Sequence, residues 1–328
     1  VRIDNDANQI DHLRSELGLS GNTDHEAFQG PNGRLTNFHY AKYLATMVNP
    51  STGAIVNNLS GAPSTLQCLS LPGFDPSNNC TWGEAWNYAT NDATDGFHLA
   101  TMAEWGWIAL LTMAWQWEPR GNTDFGRDYL RTDERGVLQV NPIDRTLTGS
   151  GPVSWTHDGT PFGIHDLCGN IWEWLYGYRT LDGEIQILPG NDYMLDPGAS
   201  SSDWRAIDAD TAALVDPGDP GTLKWDMSPF RLSDEVTSSG AASSQQFSGL
   251  TSAPGITAPA VLKRLALYPL NAYAPDRGAF WINNQGERLS QRGGSRTNGA
   301  AAGACALAGI NPRAHRSTSS GFRPAFAF

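Results

Sequence analysis

GIHDLCGNIWEW, residues 163–174, sets Glu173 between Trp172 and Trp174, directly after Gly169 and Asn170. A carboxylate flanked by two indoles is costly to bury unless donors meet it. Glu173 is therefore expected to accept hydrogen bonds from backbone or from an arginine such as Arg323. The residues upstream are rich in Gly and Asp, in EPRGNTDFGRDYLRTDERG (118–136) and again from Thr148, and read as irregular loops over a small sheet.

Outward toward the N-terminus, Thr101 and Glu104 form a T-x-x-E capping box. It opens a helix through WGWIALLTMAWQW that is apolar nearly all round and so belongs in a core. Thr81 and Glu84 repeat the device, with Trp82, Ala85, Trp86 and Ala89 following on one helical face. Phe38 to Val56 reads as strands, and residues 1–35 read as a polar extension with a weak helical stretch near Ile10 to Leu17. Toward the C-terminus, the uncharged residues 236–260 read as a flexible surface loop, and VLKRLALY and GAFWINN as strands.

Three segments in this order resemble one family. FHLATMAEW (97–105), GIHDLCGNIWEW (163–174), and RGGS (292–295) with NPRAHRSTSSGFRPAF (311–326) are similar to the motifs of the formylglycine-generating-enzyme branch of the C-type lectin fold. The resemblance implies an α+β, loop-rich domain over residues 36–328, with two main helices and small antiparallel sheets. The oxidase members carry two cysteines after the RGGS motif, at what are here Asn298 and Gly303. The nearby Cys305 is two residues past the second position and lacks a partner. The related iron-dependent sulfoxide synthases place their metal-binding histidines on an added helical domain that residues 1–35 are too short to form. Calcium lectins of this fold use EPN or QPD, and the nearest string is Glu118-Pro119-Arg120.

Within the same branch, PAVLKRLALYP, GAFWINNQGERLSQRGGS, GACALAGINPRA and SGFRPAF resemble the phage-type variable proteins of diversity-generating retroelements. In that group the last segment is rewritten by adenine-directed mutagenesis. Randomising the adenines of an AAC codon never yields Lys, Glu, Gln, Met or Trp, and none of these occurs from Gly293 to Ser320. The resemblance implies a non-enzymatic receptor binder on a phage tail fibre or a cell surface. Its partner would be a protein or glycan of a host or neighbouring cell, with massive sequence variation over about 292–320. The expected recognition positions are Arg296, Thr297, Asn298, Ala302, Gly309, Ile310, His315, Arg316, Ser317, Thr318 and Ser319. The expected framework is Arg292, Gly293, Gly294, Leu307, Pro312, Arg313, Gly321, Phe322 and Arg323. Arg296 and Arg316 would anchor a carboxylate-bearing ligand, and His315 would add pH sensitivity below about 6.5. A divergent oxidase and a calcium-dependent sugar-binding lectin are the alternatives.

Composition sets the outer limits. The chain has 328 residues, 40% of them hydrophobic, with 35 Gly and 20 Pro, which excludes wholesale disorder and favours a turn-rich fold. A net charge of −12 argues against nucleic-acid binding. No apolar run reaches the length of a membrane span, and the opening VRIDNDANQIDHLR lacks the apolar core of a secretion signal, so a soluble protein is expected. From Val261 onward the balance is roughly +7. Either these arginines pair with acids elsewhere in the fold, or they form a basic face. Cys68 and Cys80 bracket a loop and could pair in an oxidising compartment, while Cys168 and Cys305 sit among small and apolar residues as buried thiols. No cofactor is implied. Structural calcium at Asp124, Asp128, Asp133 or Asp158 is left open, as no EF-hand spacing exists and His157, His165 and His315 are scattered.

Overall fold

Both capping boxes form in the computed structural model, which describes residues 1–19, 25–90, 96–139, 144–240 and 243–328. Thr81 Oγ1 accepts from the Glu84 amide (3.2 Å) and the Glu84 carboxylate accepts from the Thr81 amide (2.8 Å), opening α1, Trp82–Ala89. The reciprocal pair at Thr101 and Glu104 (3.1 and 3.0 Å) opens α2, Met102–Ala114. Every residue from Met102 to Met113 is buried, as its unbroken apolar surface requires. Gly106 lets α3, Ala260–Arg264, cross closely, because a Cβ there would lie 2.5 Å from the Arg264 carbonyl oxygen.

The elements gather around one core. A four-stranded sheet runs in the order Arg2–Asp4, Asn37–Tyr40, Pro324–Phe326, Phe97–Leu99. Two further sheets of two and three strands are antiparallel. The fourth exceeds the expected small antiparallel kind: among the described residues it joins eleven strands. Its centre is Trp172–Leu181, flanked by Glu184–Ile187 and Glu287–Gly293, with Gly303–Asn311 and Ala279–Ile282 beyond the latter. Two of its pairings are parallel: Ala279–Ile282 with Gly303–Asn311, and Ser320–Phe322 with the start of the central strand.

Several expectations change. Residues 1–35 are not an appendage. Arg2–Asp4 pairs with Asn37–Tyr40, while Ile10, Leu13, Leu17 and Phe28 are fully buried in the common core; within that stretch, 20–24 lie outside the described residues. The VLKRLALY strand is instead the helix α3, because Val261, Leu262 and Leu265 recur with helical spacing and all face inward. The 236–260 loop contains a strand, Ser243–Gln246, paired with Ala279–Ile282, followed by a fully buried Phe247; its residues 241–242 lie outside the described residues. The strand expectations at Asn37–Tyr40, Ala45–Val48 and Ala279–Ile282 agree with the structure. All four cysteines are free thiols. No helix among the described residues is long and apolar enough to cross a membrane.

Much of the positive charge of the C-terminal part is answered by acids within the fold. Lys263 pairs with Glu16, Arg264 with Glu26, Arg277 with Asp128, Arg313 with Glu287, and Arg323 with Glu173. Arg292, fully buried, donates to the Leu265 and Ala266 carbonyls (both 2.9 Å). The Glu173–Arg323 contact expected from the sequence is bidentate, at 2.8 and 2.9 Å, with both side chains at zero exposure.

Buried histidines make the fold acid-sensitive. Burial holds His25, His157 and His165 at about 4, against an ordinary 6.5. Between those values the unfolded chain binds more protons, so stability rises with pH across that window. Asp166, pushed by burial to about 6, acts in the opposite sense over its own range, but three groups outweigh one. A melting temperature at pH 4.5 at least about 5 °C below that at pH 7 is expected. A flat profile between pH 4.5 and 7 would show that these rings are hydrated.

Candidate functional site

Two of the sequence-predicted segments meet on one face of the molecule, each gripped through its backbone by residues outside it. In the first, the Arg296 amide donates to the Asn170 carbonyl (3.1 Å), the Phe125 amide to the Arg296 carbonyl (3.0 Å), and the Gly299 amide to the Thr123 carbonyl (3.0 Å). In the second, the Asn79 amide donates to the carbonyls of Ser317 (3.0 Å) and Ser320 (2.9 Å), and the Trp172 amide to that of Ser319 (2.8 Å). Arg145 Nη1 donates to the Thr318 carbonyl (3.0 Å), while the Asp75 carboxylate grips the same guanidinium with two contacts of 2.7 Å.

Asn170 is the hub beneath the first segment. It adopts a left-handed backbone conformation (φ 61°), which asparagine tolerates better than most residues. Its buried amide accepts from the Thr146 amide (3.0 Å) and from Asn122 Nδ2 (3.2 Å), and donates to the Thr146 carbonyl (3.0 Å). Its own backbone N–H donates to Asn122 (2.7 Å). Asn122, Thr146 and the loop at 296 are thereby locked to the start of the central strand.

The side chains sort by exposure. Thr297, Arg316 and Thr318 are exposed; Arg296, Asn298, Ile310, His315, Ser317 and Ser319 are half-buried. Arg296 Nη1 donates to Ser319 Oγ (2.8 Å), tying the two segments together. Two expected recognition positions are misplaced. Ala302 has zero exposure and packs on Gly294, where an added Cβ would approach it to 2.5 Å. Gly309 is buried, and a Cβ on it would sit 2.8 Å from Ile282 Cδ1. Gly309 faces the interior because the strand Gly303–Asn311 is an inner strand of the sheet, and Ala302 is enclosed where the chain enters that strand.

The expected anionic anchor also changes character. Arg316 is already engaged by Glu84 at 3.0 Å, so its charge is compensated at home. Burial pushes His315 below its ordinary value as it lies edge-on to Trp174 (6.2 Å), so its titration moves below the expected 6.5.

Three residues beside the segments went unnoticed in the sequence. Phe125 is 55% exposed on the loop that holds Arg296. Trp172 and Trp281 meet edge-to-face at 5.4 Å, both half-buried. The available signal was aromatic character alone, at Trp281 in a segment read as a strand and at Phe125 and Trp172 in segments read as loops over a small sheet.

The positions corresponding to the oxidase thiols are Asn298 and Gly303, and burial pushes Cys305 and Cys168 up to about 12. The aspartates considered for calcium have other partners: Asp124 with Arg127, Asp128 with Arg277, Asp133 with Arg131, and Asp158 with Thr156 and Thr160. Among the described residues no group of three or more His, Cys, Asp or Glu side chains is arranged to hold a metal ion. A cavity of about 750 Å³ lies elsewhere, lined in part by Lys42, Cys68, Tyr88 and Pro324, and none of the candidate residues borders it.

Comparison with known proteins adds two findings. The profile of the sulfatase-modifying factor enzyme 1-like domain matches residues 25–218. A protein of Bos taurus named "Inactive C-alpha-formylglycine-generating enzyme 2" is 26% identical over 132 residues, which cover 40% of this chain and 42% of that protein. The match thus spans less than half of that relative. The profile match takes in Asn79, Asn122, Asn170 and Trp172, which grip the two segments, and stops short of the segments themselves.

Proposed function

The chain belongs to the sulfatase-modifying factor enzyme 1-like family, whose domains have a C-type-lectin-like fold, and from that premise we propose that it is a non-enzymatic binding protein. Its recognition surface is built from 296–298, 310 and 315–319. By its resemblance to retroelement-diversified proteins, that surface is varied in sequence to change its ligand. The ligand is a protein or glycan on a host or neighbouring cell, met at a phage tail-fibre tip or on a displaying cell.

The observation that carries the proposal is the backbone grip. Side chains that change from copy to copy cannot hold a loop in place, so a diversified loop must be held through its carbonyls and amides. Asn79, Trp172, Arg145, Asn170, Thr123 and Phe125 do this from outside the segments. The name of the bovine relative is compatible with a role without catalysis. An oxidase would need two accessible thiolates, whereas Cys305 and Cys168 are buried.

Deep sequencing of codons 290–326 in the source population, with the flanking DNA, tests this reading. Adenine-directed changes are expected at 297, 298, 310 and 315–319. Positions 302 and 309 should stay small, because Gly294 and Ile282 fill the space a larger side chain would need. An invariant segment with no near-identical template copy would overturn diversification.

A further inference from the structure

We propose that Trp172 and Trp281 form a fixed platform for the neutral pyranose face of a glycan, with the loop residues around it supplying the variable polar contacts. The inference rests on the binding reading above and names its ligand class.

The register places the platform. Trp174, Gln291, Ala308 and Trp281 are successive cross-strand partners and therefore share one face of the large sheet. Trp172, two residues before Trp174, lies on that same face, as does Ile310, two residues after Ala308. The strands Glu287–Gly293 and Gly303–Asn311 lie between those of Trp172 and Trp281, and the two indoles meet at 5.4 Å. Ser319 lies against Trp172 through the 2.8 Å backbone bond, and His315 against Trp174.

Three features point to a neutral sugar. First, six indole N–H groups donate to protein acceptors and those of Trp86, Trp107 and Trp155 are sealed inside without one, whereas those of Trp172 and Trp281, like that of the exposed Trp115, have no protein acceptor among the described residues and are not sealed from solvent. A half-exposed indole with a free donor offers both a flat apolar face for ring C–H groups and a bond for a hydroxyl. Second, Gln291 is 1% exposed, and its Nε2 has no partner although its Oε1 accepts from Asn311 (2.7 Å). An amide donor is thus left over in the row beneath the platform. Third, the rim is hydroxyl and amide in character, from Thr297, Asn298, Ser317, Thr318 and Ser319. Two of the three nearby arginines are ion-paired, Arg316 with Glu84 and Arg313 with Glu287, while Arg296 donates to the neutral Ser319 hydroxyl. A surface with most of its charges answered internally complements an uncharged ligand better than an acidic one. A protein partner would instead call for a large apolar centre, and the platform offers two rings.

The test is a printed array of neutral oligosaccharides with their sialylated and sulfated counterparts, probed with the full chain in a chelator. Binding to at least one neutral glycan is expected, weakened at least tenfold in Trp281→Ala and partly restored in Trp281→Phe, with melting curves confirming that the variants fold. Trp172→Phe serves at the second ring, where truncation to alanine risks the core. Neutral binding that Trp281→Ala leaves unchanged, or binding confined to the charged counterparts, overturns the platform. A silent array with codon diversity present overturns the glycan class and leaves the binding reading standing. A silent array with an invariant segment removes both.

Discussion

Replacing Arg323 with leucine is expected to lower the melting temperature by roughly 10 °C, from a loss of about 3–5 kcal/mol. The guanidinium is completely enclosed and makes four contacts: two to Glu173, one to the Ala41 carbonyl (3.1 Å) and one to the His165 carbonyl (3.0 Å). Removing it strands a carboxylate that burial already pushes above its ordinary value, together with two carbonyl oxygens. Glu173→Gln should cost less, several degrees, because the amide oxygen can still accept from Arg323. The double variant Arg323→Leu/Glu173→Met should recover much of the loss, since apolar replacements for a buried pair are often neutral. A double variant no more stable than Arg323→Leu alone would show that the arginine acts through the two carbonyls and not through the carboxylate.

Asn170→Ala is expected to cost about 3–5 kcal/mol, and to do so locally as well as globally. It leaves the Thr146 amide, the Thr146 carbonyl and Asn122 Nδ2 short of partners in a dry site, at about 1–3 kcal/mol for each unsatisfied group before relaxation. It also places alanine in a left-handed conformation that asparagine accepts more readily. The diagnostic readout is hydrogen exchange at the amides of Thr146, Arg296 and Gly299. These should exchange faster relative to the core amides of α2, because the hub is what fastens both loops to the central strand. Uniform acceleration through the whole chain would show that Asn170 is a core residue and no particular support of the candidate surface.

What the sequence made legible was what short-range chemistry encodes. The two T-x-x-E boxes are local, and both formed as read. The need for a donor at Glu173 follows from its neighbours alone, and Arg323 supplied it. Positions whose environment is set by a distant strand were read less well. Ala302 and Gly309 look like small loop residues until Gly294 and Ile282 close over them. Trp172 and Trp281 look like core until the sheet's register brings them together at its surface. The pairing of Lys263, Arg264 and Arg277 with acids was one of two readings of their charge, and its partners Glu16, Glu26 and Asp128 come from far earlier in the chain. Residues 1–17 were misread for a related reason: isolated leucines in a polar stretch carry no period, yet Leu13 and Leu17 are wholly enclosed.

The position of the strand Pro324–Phe326, between Asn37–Tyr40 and Phe97–Leu99, bears on how the chain is made. A ribosome delivers the two outer strands long before the middle one, and Glu173 emerges about 150 residues ahead of Arg323, which is bonded to it across that separation. Until then the growing chain carries an unfilled slot in one sheet and an unanswered charge in its interior, so stable closure must wait for synthesis to pass residue 326. Any frameshift or stop codon upstream of that point should therefore yield a product that cells degrade. The reading frame of the whole segment between Arg292 and Phe326 is thereby proofread by folding itself.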